Sequence, residues 1–91
     1  MESTAMLNKT IPTQRERVAT LVQERLARRA ITKPVAADDD LRESGISSLD
    51  MVNLMLAVEA EFGLTIPEAD MTPVNFRSIA AIEALVASLQ D

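Results

Sequence analysis

Ser47, Ser48 and Asp50 stand together in the stretch Gly45-Ile46-Ser47-Ser48-Leu49-Asp50, where a turn gives way to a helical pattern. The two serines compete for the start of that helix. Ser47 suits the N-cap: its side-chain oxygen can accept from the backbone N–H of Asp50. Asp50 can reach back to the N–H of Ser47, which closes an S-x-x-D capping box. Ser48 then falls at the first helical position, where its hydroxyl has no capping task and projects outward. An anion attached there sits in the field of the helix N-terminus, which favours negative charge. The position suits a phosphodiester. It does not suit a nucleophile, because the chain has no histidine and no cysteine, and no lysine close in sequence to act as base.

Other groups that invite a chemical reading fit structural roles better. Asp38-Asp39-Asp40 suggests a metal loop, but an EF-hand counted from Asp38 places Glu43 at the glycine position and Leu49 at the closing glutamate. A solvated acidic loop is the better account. Arg25, Arg28 and Arg29 crowd the end of a helix, where cations complement the dipole; the functional alternative is a dock for an acidic enzyme patch. Met51 and Met55 read as core filler. Ser44 and Ser47 are turn and cap residues.

The elements that must position Ser48 follow from periodicity. Residues 1–12 are polar and aperiodic and read as a flexible tail. Thr13 and Glu16 form a capping box for a first helix, in which Val18, Leu21, Val22 and Leu26 recur at helical spacing; it should end near Ile31, before Pro34. A long loop from Lys33 to Gly45 follows, with Leu41 as its core plug. A second helix runs from Ser48 to Phe62 and stops at Gly63. Pro67 and Pro73 allow at most a short helix between Glu68 and Phe76. A last helix starts at Ser78 and carries Ile79, Ile82, Leu85, Val86 and Leu89 on one face. The second helix carries two apolar stripes. Leu54, Val58 and Phe62, with Met51 and Met55 beside them, form a core face; Leu49, Val52 and Leu56 lie on nearly the opposite side, with Ser48 at their margin. A small bundle needs one stripe. The other is either covered by the connector or open to a partner.

Composition agrees with this plan. Ninety-one residues suit one small domain, and Phe62 and Phe76 are the only rings, so Leu, Ile, Val and Met must build the core. Few aromatics and two glycines favour an all-α bundle of three to four helices over a sheet. Without cysteine there are no disulfides, and a cytoplasmic monomer is the expectation. No apolar run is long enough to span a membrane, and residues 1–12 lack the apolar stretch of a signal peptide. Residues 1–36 carry a balance of +4 and residues 37–91 one of −9, and the overall acidity counts against nucleic acid as a partner.

Asp40-Leu41, Gly45-Ile46, Ser48-Leu49-Asp50, Glu61-Phe62-Gly63 and Ser78-Ile79-Ala80-Ala81-Ile82 together resemble the acyl and peptidyl carrier proteins, over roughly Val18 to Leu89. In that family the serine of a D-S-L motif bears a 4′-phosphopantetheine arm, which implies attachment on Ser48. Ser47 stands where the family usually has Asp, and the two cap helices about equally well. The resemblance implies a carrier domain at residues 13–91, a helical bundle of the acyl carrier type, and no catalysis by the chain itself. Its thiol chemistry would come from the arm, loaded as a thioester. It further implies three partners: a phosphopantetheinyl transferase, a cognate adenylating acyl or amino acid ligase, and a downstream transferase. Leu49, Val52 and Leu56 match positions that contact partner enzymes, and Asp50 is expected to offer them a charge. Asn53 stands where carriers of fatty acid synthesis often have an acid, and the last helix opens as in peptidyl carriers. Both lean toward an aminoacyl cargo over a fatty-acyl or polyketide-type one. A helical adaptor that binds proteins through the Leu49–Val52–Leu56 stripe, with no prosthetic group, is the rival from another class.

Overall fold

The computed structural model describes residues 11–90, so most of the expected tail, at residues 1–10, lies outside the described residues. Thr13 begins α1 (Gln14–Ala27): its Oγ1 accepts the Glu16 N–H at 3.1 Å, and Glu16 Oε1 accepts the Thr13 N–H at 2.8 Å. Among the described residues three further helices follow, α2 (Leu41–Ser44), α3 (Ser48–Phe62) and α4 (Ile79–Leu89), with one 3₁₀ turn at Glu68–Asp70. No strand occurs among the described residues. The layout is the all-α bundle anticipated above, and α3 has the bounds its sequence predicts.

Every fourth residue of α1 points inward. Val18, Val22 and Leu26 are fully buried, and α1 packs against both α3 and α4. Leu54 and Val58 of α3 and Ile79, Ile82 and Val86 of α4 meet them in one cluster, closed by Leu41 of α2 and by Ile46, Ile66 and Phe76 from the connecting segments. Burial of each such side chain contributes about 1.5–3 kcal/mol, which sets the helices around α3 firmly.

Two expectations are corrected. α1 stops at Ala27, one turn short of Ile31. The Ile31 N–H turns back to the Leu26 carbonyl at 3.0 Å and the Ala30 N–H to that of Ala27 at 2.9 Å. This is a Schellman closure, with Ala30 at φ 61° in the place where glycine is usual. The loop after Lys33 is not structureless either, because Asp40 caps α2 by accepting the N–H groups of Arg42 and Glu43 at 2.9 and 3.2 Å. Asp39 accepts the Ala36 N–H at 2.8 Å. Two of the three consecutive aspartates thus shape turns, and Leu41 is buried as expected.

Gly45 closes α2 with a second Schellman pair, Ile46 to Leu41 at 2.9 Å and Gly45 to Arg42 at 3.2 Å. Its φ is 121°, and a Cβ there would lie 2.6 Å from Ile31 Cδ1 and 3.3 Å from Leu26 Cδ2. Gly63, at φ 62° behind α3, has nothing within 4 Å of the same added atom. Gly63→Ala is therefore expected to cost about 1 kcal/mol from the left-handed backbone alone. Gly45→Ala should cost about 2 kcal/mol or more, because strain and crowding add. Thermal melting of the two variants checks the order; equal midpoints would contradict the greater strain assigned to Gly45.

Candidate functional site

The first turn of α3 is built as the capping argument requires. Ser47 Oγ accepts the Asp50 N–H at 3.1 Å, and Asp50 Oδ2 accepts the Ser47 N–H at 3.1 Å. A third residue joins them that sequence reasoning assigned elsewhere. Arg29, just past the end of α1, donates from Nη2 to Ser47 Oγ at 3.0 Å and from Nε to the Asp50 carboxylate. Ser47 Oγ then has both lone pairs engaged. Ser48 is exposed, and among the described residues its hydroxyl makes no hydrogen bond. Of the two serines, Ser48 alone has a free oxygen at a helix N-terminus.

Asp50 was expected to present its charge to a partner. The structure turns it inward: the residue is 8% exposed and its carboxylate faces Arg29. The hydrogen bond from Arg29, helped by the Ser47 N–H and hydroxyl, holds the Asp50 carboxyl below the usual carboxylate range against the opposing effect of burial. A carboxyl depressed on folding stabilises the fold above its unfolded value of about 3.9, and that contribution is lost as pH falls through the lower folded value. Asp50→Asn should accordingly be less stable at neutral pH and lose less further stability than the wild type as pH falls below about 4. Thermal melting across that range checks it, and an unchanged pH dependence would mean that the pair with Arg29 contributes nothing to stability. Ser47→Ala removes the cap and one acceptor for Arg29. It should lower stability by about 1–2 kcal/mol, or roughly 5–10 °C in the melting midpoint. An unchanged midpoint would mean that Ser47 is not the cap.

The second stripe of α3 is open. Leu49, Val52 and Leu56 are 68, 52 and 54% exposed, so the connector does not cover them; Val74 of the connector is itself 75% exposed. Between α3 and the connector lies a cleft of about 480 Å³ with Ser48 on its wall. Met51 and Met55 line it while also packing on the core, so their filler role is only partial. Opposite them stand Met71 and Phe76, and Arg42 and Arg77 also line the cleft. Arg42 and Arg77 carry no sequence periodicity that would have singled them out.

The basic first helix is largely engaged within the fold. Arg15 pairs with Glu83 at 2.8 Å, and Arg17 pairs with Glu61 at 2.7 Å while stacking over Phe62, 4.3 Å from the ring centre. These contacts leave less free charge for an acidic partner on that face than composition suggests. Among the described residues no group of His, Cys, Asp and Glu side chains is placed to hold a metal ion, and no helix is long and apolar enough to cross a membrane.

Comparison with known proteins bears on what the free hydroxyl is for. Residues 16–86 match the family described as the phosphopantetheine attachment site. Aminoacyl carrier protein 1 of Bradyrhizobium diazoefficiens is 44% identical over 72 residues, covering 79% of this chain and 80% of the relative. Aminoacyl carrier protein 2 of the same organism is 44% identical over 70 residues, covering 77% and 79%. Two solved structures superpose with TM-scores of 0.70 and 0.68, at 43% and 44% identity, over 81% and 78% of this chain and 96% of each neighbour. Both are carrier proteins in complex with the Bradyrhizobium japonicum glycine:[carrier protein] ligase, one with an analogue of glycyl adenylate and the other itself glycylated.

Proposed function

The chain belongs to the carrier proteins with a phosphopantetheine attachment site, and we propose that Ser48 carries the arm. The observation behind this assignment is the contrast between the two serines: Ser47 Oγ is engaged by Asp50 and Arg29, whereas Ser48 is exposed at the first turn of a fifteen-residue helix and its hydroxyl makes no hydrogen bond among the described residues. A covalent 4′-phosphopantetheine fits that position because its phosphodiester is anionic and the helix N-terminus favours an anion. When bound, the arm supplies a terminal thiol that holds cargo as a thioester.

The chain is an aminoacyl carrier and not an enzyme. Its own residues hold the attachment point rigid and present the surface that enzymes read. Its activating partner is an adenylating ligase, and glycine is the cargo to test first, since the structural neighbours are bound to a glycine ligase. Arm attachment falls to a phosphopantetheinyl transferase, and unloading to a downstream transferase. The docking surface is the open stripe Leu49, Val52 and Leu56. The working unit spans residues 13–91.

Intact mass after co-expression with a broad-specificity phosphopantetheinyl transferase tests the first step: one arm per chain is expected. Incubation of that product with ATP, glycine and a glycine:[carrier protein] ligase should then add one glycyl group that neutral hydroxylamine removes. A chain that takes no arm would refute the Ser48 assignment. A chain that takes the arm but no amino acid from any adenylating ligase would refute the aminoacyl reading.

A further inference from the structure

Resting on the assignment of the arm to Ser48, we infer that Arg42 and Arg77 form a subsite for the arm's phosphodiester. Both arginines line the same cleft as Ser48. They come from segments far apart in sequence, yet the backbone holds them together: the Leu41 N–H donates to the Arg77 carbonyl at 2.9 Å, and Arg42 follows Leu41 directly. A second bond, from the Ala80 N–H to the Ala37 carbonyl at 2.9 Å, fastens the start of α4 to the same loop.

The charges around the cleft leave this pair available. Asp50, the acid nearest Ser48 in sequence, is already paired with Arg29. Asp40, the acid on the cleft wall, caps α2 and stands 3.9 Å from Arg77 Nε, too far for a strong bond. The Arg77 side chain is 73% exposed, and Arg42 is exposed and among the described residues takes part in no ion pair. In a chain of net charge −5, two arginines lining the same cleft as the Ser48 hydroxyl match the charge that an arm brings. Arginine binds phosphate oxygens through paired N–H donors, so the contact is directional as well as ionic. The consequence for function is orientation: an arm held at its phosphate leaves α3 along the cleft instead of sweeping freely through solvent.

The test uses the arm-bearing protein and reads its single phosphorus by ³¹P NMR. In the wild type the resonance should be broadened and displaced from that of free coenzyme-derived phosphodiester. Arg42→Gln/Arg77→Gln should narrow it by roughly a factor of two, as local motion is released, and return it toward the free position. Arg42→Lys/Arg77→Lys should recover only part of the displacement, since lysine keeps the charge but loses the paired donors. Raising salt toward 1 M should move the wild type in the direction of the glutamine variant. Circular dichroism controls for folding, and intact mass confirms that each variant carries the arm. Identical line width and position in wild type and glutamine double variant would overturn the inference. So would a normal resonance combined with impaired ligase loading, which would assign the arginines to an acidic partner surface. Absence of any arm, and so of any phosphorus signal, would instead overturn the attachment on which the inference rests.

Discussion

Ser48→Ala should abolish arm attachment completely while leaving the helical circular dichroism and melting midpoint almost unchanged. The hydroxyl is the acceptor, and nothing in the fold depends on it: it is exposed and, among the described residues, bonded to no other group. Alanine is also a good helix residue, so the first turn of α3 loses no stability. The contrast with Ser47→Ala is the sharpest part of the result. That neighbour should weaken the fold but still accept the arm, because its oxygen is engaged with the Asp50 N–H and Arg29. Intact mass after co-expression with the transferase gives the answer for both. Modification lost in Ser47→Ala and retained in Ser48→Ala would mean that the helix register is displaced by one residue.

Loading by the cognate ligase should fall roughly ten- to a hundred-fold in kcat/KM when Val52 or Leu56 is replaced by lysine. Both side chains are more than half exposed and sit on the face turned away from Leu54 and Val58. A charge there meets only water in the free protein, so folding should be normal. In a complex with an apolar groove the same charge must be desolvated without a partner, at a cost of several kcal/mol less whatever relief side-chain relaxation brings. The loss should appear mainly in KM, since the Ser48 attachment point is untouched. Arg28→Glu, an exposed change at the end of α1, serves as the comparison and should matter much less. Normal loading of the α3 variants alongside failure of Arg28→Glu would transfer the docking surface to the basic helix.

Local rules located most of this protein because much of its structure is local. The capping boxes at Thr13 and Ser47, the bounds of α3, the stop at Gly63 and the start of α4 after Ser78 each depend on residues within one turn. The apolar spacing likewise separated the buried Leu54–Val58 face of α3 from the open Leu49–Val52–Leu56 face. Whether the connector covered the open face was a different kind of question, and packing alone answered it. The end of α1 was misjudged because Ala30 adopts a left-handed conformation that sequence rules assign to glycine. The ion pair of Asp50 was not legible in the sequence because its partner, Arg29, is 21 residues away and reaches it only when α1 packs beside α3. The cleft is likewise a product of assembly: Arg42 and Arg77 come to line it together where the bonds from Leu41 to the Arg77 carbonyl and from Ala80 to the Ala37 carbonyl join their segments. Sequence by itself determined which hydroxyl was free, since a cap is decided by backbone within four residues; tertiary structure decided which charges surround it, since ion pairs and clefts form between segments that only the fold brings together.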